Sequence, residues 1–189
     1  MKVRRSTQQV TLSAVLIAIG LLIPVLSPLK IILEPASFTL ASHVPIFIGM
    51  FISPTVGLAV ALGTTAGFFI GGFPLIIVLR AFTHAAFAFL GGWMLEKKPQ
   101  WIENKKPSFL FALLIGVIHA IGEVAVVSLF YFGGELTSAY YAKGFLMTVF
   151  ILVGVGTIIH SMVDFFISQV LWESLKKNVK EKRDRILFD

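Results

Sequence analysis

Val10-Thr-Leu-Ser-Ala-Val-Leu-Ile-Ala-Ile-Gly-Leu-Leu-Ile-Pro-Val-Leu26 carries no charge and follows closely on Lys2, Arg4 and Arg5. A basic start before an apolar run is the layout of a secretory signal. This run exceeds the about 7–15 residues of a signal core and no small-residue cleavage site follows, so it is expected to persist as a permanent first helix. Working outward, the apolar segments fall at residues 10–27, 42–53, 55–72, 75–95, 108–132 and 144–174. A helix crosses a bilayer with about 20 apolar residues, and only the second segment is clearly short. The expected fold is a single all-α integral membrane domain over residues 1–189, a six-transmembrane-helix bundle.

Composition agrees. The 189 residues are 57% hydrophobic and 14% charged, with 18 Phe, and the mean hydropathy is +0.89. A soluble domain of this size has too little interior to hide so much apolar side chain. There is no Cys, which excludes disulfides, thiolate metal sites and thiol nucleophiles. A net charge of +6 raises the question of nucleic acid, but placement answers it. Thirteen of the sixteen Lys and Arg lie in the first five residues, between Lys97 and Lys106, or between Lys176 and Arg185. That bias retains loops in the cytosol, and six spans put both termini and the 96–107 loop on that side. No nucleic-acid partner is expected.

Punctuation and aromatics fit the same layout. Pro54 suits the first turn of the third helix, and Gly71-Gly72-Phe73-Pro74 separates the third from the fourth. Trp93, Trp101 and Trp172 fall near the inner interface, and Tyr131, Tyr140 and Tyr141 near the outer one, where amphipathic rings settle. Two outer connections are longer than turns. Ser27 to Ser42 holds Pro28, Lys30, Glu34 and Pro35, and Gly133 to Lys143 holds Glu135. Both are candidate lids over the outer mouth of the bundle, the alternative being plain surface connectors.

Ionisable groups inside spans are costly and mark function. They come in pairs four apart, on one helix face: Arg80 and His84, His119 and Glu123, His160 and Asp164. His43 opens the second helix. Counting depth at about 1.5 Å per residue places Arg80, His84, Glu123 and His43 at one outer level and His160 with Asp164 in the inner half. Arg80 offers a fork that fits a carboxylate, with Phe68, Phe69, Phe73 and Phe82 as candidates to stack on a flat ring. Arg80 can instead pair with Glu123 and lock two helices. The inner pair reads as structural and His119 as a satisfied interior histidine. Three His on separate helices can bind a metal, but the depth count spreads them over several turns, so no metal site or cofactor is expected. No HExxH, GxSxG or GxxxxGK[ST] occurs, so no enzyme is expected.

Small residues carry another signal. Ala14 and Ala18 form a small-xxx-small step that lets a helix approach closely in lipid. Gly57, Ala61, Gly63, Ala66 and Gly67 make the third helix smooth, which internal packing explains.

Ala14-Val-Leu-Ile-Ala18 in a first helix, a long first outer loop and six apolar segments resemble the substrate-binding S component of an energy-coupling factor (ECF) vitamin transporter. Pro35-Ala-Ser-Phe-Thr-Leu-Ala-Ser-His-Val-Pro45 and Arg80-Ala-Phe-Thr-His84 are most similar to the niacin-specific branch. The resemblance implies a bacterial plasma-membrane protein that captures nicotinate. Arg80 would hold the carboxylate, His43 and His84 would donate to the ligand, Glu123 and Phe73 would line the site, and Ser37 and Thr39 would close it. It also implies docking through Ala14 and Ala18 on a transmembrane coupling subunit that carries two ATPases. Pantothenate, folate, pyridoxine and hydroxymethylpyrimidine remain open as ligands. So does a small secondary transporter that uses Glu123 and Asp164 for proton coupling.

Overall fold

Four stretches of this chain form helices long and apolar enough to cross a membrane: Thr7–Leu26, Leu75–Lys97, Lys105–Phe132 and Leu146–Lys177. The computed structural model describes residues 2–33 and 36–188, with side chains at 7–29, 38–138 and 141–177. Helix α1 (Lys2–Leu26) leads into an antiparallel hairpin of β1 (Lys30–Leu33) and β2 (Ala36–Thr39), with Lys30 opposite Thr39 and Leu33 opposite Ala36. Then come α2 (Val44–Ile52), α3 (Pro54–Ile70), α4 (Leu75–Lys97), a 3-10 turn at Pro99–Ile102 and α5 (Lys105–Phe132). A short α6 (Ser138–Ala142) precedes a π-helix at Leu146–Val155, which continues as α7 (Gly156–Phe188). The architecture is that of an all-α membrane protein with one small hairpin.

The surface is inverted relative to a soluble domain. Ile70 is 85% exposed and Phe132 74%, a cost that only a hydrocarbon surround removes. The interior is filled by phenylalanine: Phe47, Phe87, Phe111 and Phe165 are essentially inaccessible and pack with Ile46, Met50 and Ile115. Helices come close where side chains are absent. A Cβ on Gly92 would stand 2.7 Å from the Cα of Pro54, and one on Gly57 would stand 3.0 Å from the Cα of Met50. The smooth strip of α3 is used internally, since Ile17 and Leu21 of α1 sit over Gly63 and Gly67. Ala14 and Ala18 lie on the exposed face of α1.

Helix ends follow the sequence signals. Pro54 is the first residue of α3, and the Ser53 hydroxyl caps it by accepting from the Val56 amide at 3.2 Å. Gly72, with φ of 73°, turns the chain toward α4. At one end of the bundle each Trp has a lysine ammonium over its ring: Lys97 on Trp93 at 3.6 Å, Lys98 on Trp101 at 5.2 Å and Lys176 on Trp172 at 5.5 Å. Tyr131 packs on Tyr141 at 4.8 Å, and the Tyr141 hydroxyl donates to the Tyr131 carbonyl. The Tyr140 side chain lies outside the described residues.

The first long connection is a hairpin and not an irregular loop. Glu34 and Pro35 lie outside the described residues, as do the side chains of Lys30 and Ser37. The chain leaves β2 through Ala41, whose φ of 67° is a left-handed conformation that costs a side-chain-bearing residue about 1–2 kcal/mol. Asp164 of α7 offsets that cost by accepting the Ala41 amide at 2.8 Å.

Candidate functional site: a histidine-lined cavity under the hairpin

Six helices (α1 to α5 and α7) and the hairpin line a cavity of about 270 Å³. The i, i+4 spacing on α4, α5 and α7 turns each histidine and its charged partner to the same side, and α2 contributes His43 from its N-cap position. Arg80 donates from Nε to Glu123, which is itself buried. His84 Nε2 lies 3.4 Å and His119 Nε2 3.5 Å from the other oxygen of Glu123. One carboxylate thus gathers α4 and α5.

The second carboxylate does the same for α2 and α7. Asp164, fully buried, accepts from the His43 amide at 3.0 Å and stands 3.1 Å from His43 Nδ1. A carboxylate can only accept, so Nδ1 carries the proton in this pairing and Nε2 keeps its lone pair. His160 Nε2 stands 3.4 Å from Asp164 and 3.2 Å from the Ser42 hydroxyl.

The imidazoles converge. His43, His84 and His119 have ring centroids 4.7–4.8 Å apart with steep mutual angles, and His160 stands 4.9 Å from His43. Phe87 packs beneath all three, 4.8 Å from His119 and 5.6 Å from His84. Phe38 of the hairpin stacks at 5.4 Å on His160 and covers Gly156.

Of the expected site residues, Arg80, His84, His43, Glu123, Thr39 and Phe73 all line the cavity. Ser37 has no described side chain. The division into an outer cluster and an inner pair is wrong, because Asp164 and His160 contact His43 directly. Two features defeat the depth count. Helix α2 has nine residues, only about 13 Å of rise, so His43 begins it well inside the bundle. The π-helix at Leu146–Val155 packs more residues into a given length than an α-helix does, which keeps Asp164 higher than a uniform rise implies.

Other expectations fall with it. The histidines are not spread over several turns. His119 is not satisfied, since neither ring nitrogen has a hydrogen-bond partner among the described residues, although Glu123 is near. Phe69 and Phe82 are more than half exposed and face outward, one helical step from the buried Phe68 and from Ala81. Phe38, Ser42, Thr64 and Thr157 also line the cavity, and as uncharged residues they carry no signal of a site in the sequence.

Over 174 residues the chain is 38% identical to the niacin transporter NiaX of Lactococcus lactis subsp. cremoris, an alignment that covers 92% of this chain and 77% of that protein. The chain belongs to this niacin-transporter family. The family is the branch that the Pro35–Pro45 and Arg80–His84 stretches resemble. It is a family of transporters, so the chain is not an enzyme. No protein-family model and no solved structure matches the chain. Within a transporter family, a small cavity lined by charged and aromatic groups between apolar helices is where a substrate site is expected.

Proposed function

We propose that this chain is the nicotinate-capturing membrane subunit of an ECF-type vitamin transporter. The observation that carries the reading is Arg80 at the wall of a 270 Å³ cavity in a chain 38% identical to a niacin transporter. A guanidinium matches a carboxylate in shape and charge. Phe38 and Phe73, also on the wall, supply flat apolar faces for a pyridine ring. His43 and His84 add ring nitrogens that can hydrogen-bond a ligand, and Thr39 lies at the hairpin side. The volume sits just under the about 300–1,000 Å³ of drug-sized pockets. It suits a single ring with one carboxylate and is small for folate.

The same reading gives the topology: six membrane segments with both termini in the cytosol of a bacterial plasma membrane. It is supported by the thirteen basic residues at the termini and the 96–107 loop, and by the lysine-topped tryptophans. The nine residues of α2 cover less than half of a hydrocarbon core about 30 Å thick. The hairpin makes up the remaining depth, and the cavity is the space a full-length second helix would have filled. Open strand edges are tolerated at such depth only inside protein or beside water, which suits a hairpin serving as the lid.

The chain carries no nucleotide-binding motif, so energy comes from elsewhere. Ala14 and Ala18, on the exposed face of α1, are the docking surface for a coupling subunit bearing two ATPases. Vesicles containing this chain with such a module are expected to accumulate nicotinate only with internal ATP. Accumulation by the chain alone under a proton gradient contradicts the assignment and favours a secondary transporter. Single cysteines, introduced into a chain that has none, test the topology. Residues 98 and 178 should label only from the cytosol and residue 135 only from outside.

A further inference from the structure

We infer that His43, His84 and His119 form a binding site for a divalent transition-metal ion of the imidazole-preferring class, such as Zn²⁺, Co²⁺ or Ni²⁺. One ligand atom from each of the three lies within 4.8 Å of the others. Tetrahedral bonds of about 2.0–2.1 Å place nitrogens about 3.4 Å apart, so small side-chain rotations close the site. The three rings come from α2, α4 and α5, which fixes their approach, and among the described residues the carboxylates beside them are Glu123 and Asp164, fewer oxygens than the six or more that Ca²⁺ or Mg²⁺ takes.

Three further observations point the same way. His119 is 1% exposed and neither of its ring nitrogens has a hydrogen-bond partner among the described residues. A buried polar group in that state calls for a ligand, and the nearby Glu123 oxygen at 3.5 Å does not supply a bond of proper geometry. His43 is held by Asp164 through Nδ1, the carboxylate–histidine arrangement that orients a metal-ligating imidazole and raises its basicity. Finally, the one positive charge of Arg80 is set against the two carboxylates of Glu123, which it contacts, and Asp164, so with neutral imidazoles these groups leave one net negative charge. A cation is favoured in that field.

The last point bears on nicotinate. Its carboxylate would enter a site already negative, and a bound dication reverses that sign. This consequence rests on the nicotinate reading, whereas the metal site itself does not.

The test uses the full chain purified in detergent without a polyhistidine tag, stripped with chelator and titrated with Co²⁺ alone. Calorimetry and the visible d–d bands report binding and coordination. The expected result is one Co²⁺ per chain with nitrogen-ligated low-coordinate bands. His84→Gln and His119→Gln should each weaken binding at least tenfold, and Asp164→Asn about 10–100-fold through its hold on His43. Cooperative melting of each variant establishes that it is folded. Absence of Co²⁺ binding to the parent chain overturns the site. So does undiminished binding to folded His84→Gln and His119→Gln, which would mark surface adsorption. Co²⁺ binding without nicotinate binding sinks the substrate reading and leaves the metal site standing, and the reverse sinks the metal site alone.

Discussion

Asp164 on α7 holds His43 at the head of α2 through two bonds, one to its backbone amide at 3.0 Å and one to its ring Nδ1 at 3.1 Å. With the Ala41 amide at 2.8 Å, a single buried carboxylate fixes the exit of the hairpin, the start of the short helix and the orientation of one cavity imidazole. Fold and site share this joint.

Asp164→Ala leaves two backbone donors and one ring donor without an acceptor in a dry interior. Buried donors so orphaned cost about 1–3 kcal/mol each, less where the chain relaxes. The expected loss is about 3–5 kcal/mol, read as a lower melting temperature in detergent. Asp164→Asn keeps an acceptor and should lose about half as much. A melting temperature within a degree of the parent in both variants contradicts this role.

Arg80 and Glu123 form a second joint, between α4 and α5. Arg80→Ala strands a buried carboxylate, at a cost of about 3–5 kcal/mol. Adding Glu123→Gln to Arg80→Ala removes that charge and should recover most of the lost stability. Glu123→Gln alone is expected to enlarge the thermal stabilisation by nicotinate, because the guanidinium loses a rival carboxylate and the cavity loses a negative charge. A smaller shift than the parent's would show that Glu123 helps to bind the ligand directly.

Close helix contacts set a third expectation. A Cβ on Gly92 meets the backbone of Pro54 at 2.7 and 2.8 Å, while one on Gly91 meets the flexible ends of Met50 and Ile115. Backbone cannot yield as a side-chain tip can. Gly92→Ala should therefore destabilise by about 3 kcal/mol or more, and Gly91→Ala by about 1 kcal/mol. Parallel thermal melts of the two variants check the order, and equal losses would contradict it.

The helices were legible because their signals are local. Charge-free runs, the proline that opens α3 and the Gly71-Gly72 break each act over a few residues, and the four-residue His–charge spacing put each pair on one face. Relative depth was not legible, because it depends on where a helix begins in space. His43 follows a hairpin whose register is fixed by pairing between strands, and nothing in Lys30–Thr39 announces how far that hairpin dips. Asp164 lies beyond a π-helix that no simple periodicity marks. The meeting of His43, His119 and His160 follows from those two placements, so the sequence reading separated groups that are neighbours. Phe69 and Phe82 erred for the opposite reason: neighbours in sequence on a helix face different ways.

The exposed face of α1 gives a fourth expectation. Ala14→Trp with Ala18→Trp should abolish assembly with a coupling module, because bulky rings prevent close helix approach. Melting temperature and nicotinate binding should stay unchanged, since neither residue packs internally. Intact co-purification of the double variant with the module would rule out this face as the docking surface.

The most direct test of the central claim is calorimetric titration of nicotinate into the purified chain, beside the Arg80→Ala/Glu123→Gln variant. The account predicts one tight site in the parent chain. It also predicts affinity at least a hundredfold weaker in the variant, with cooperative melting retained. Absence of nicotinate binding to the parent, or equal binding by the folded variant, would contradict it.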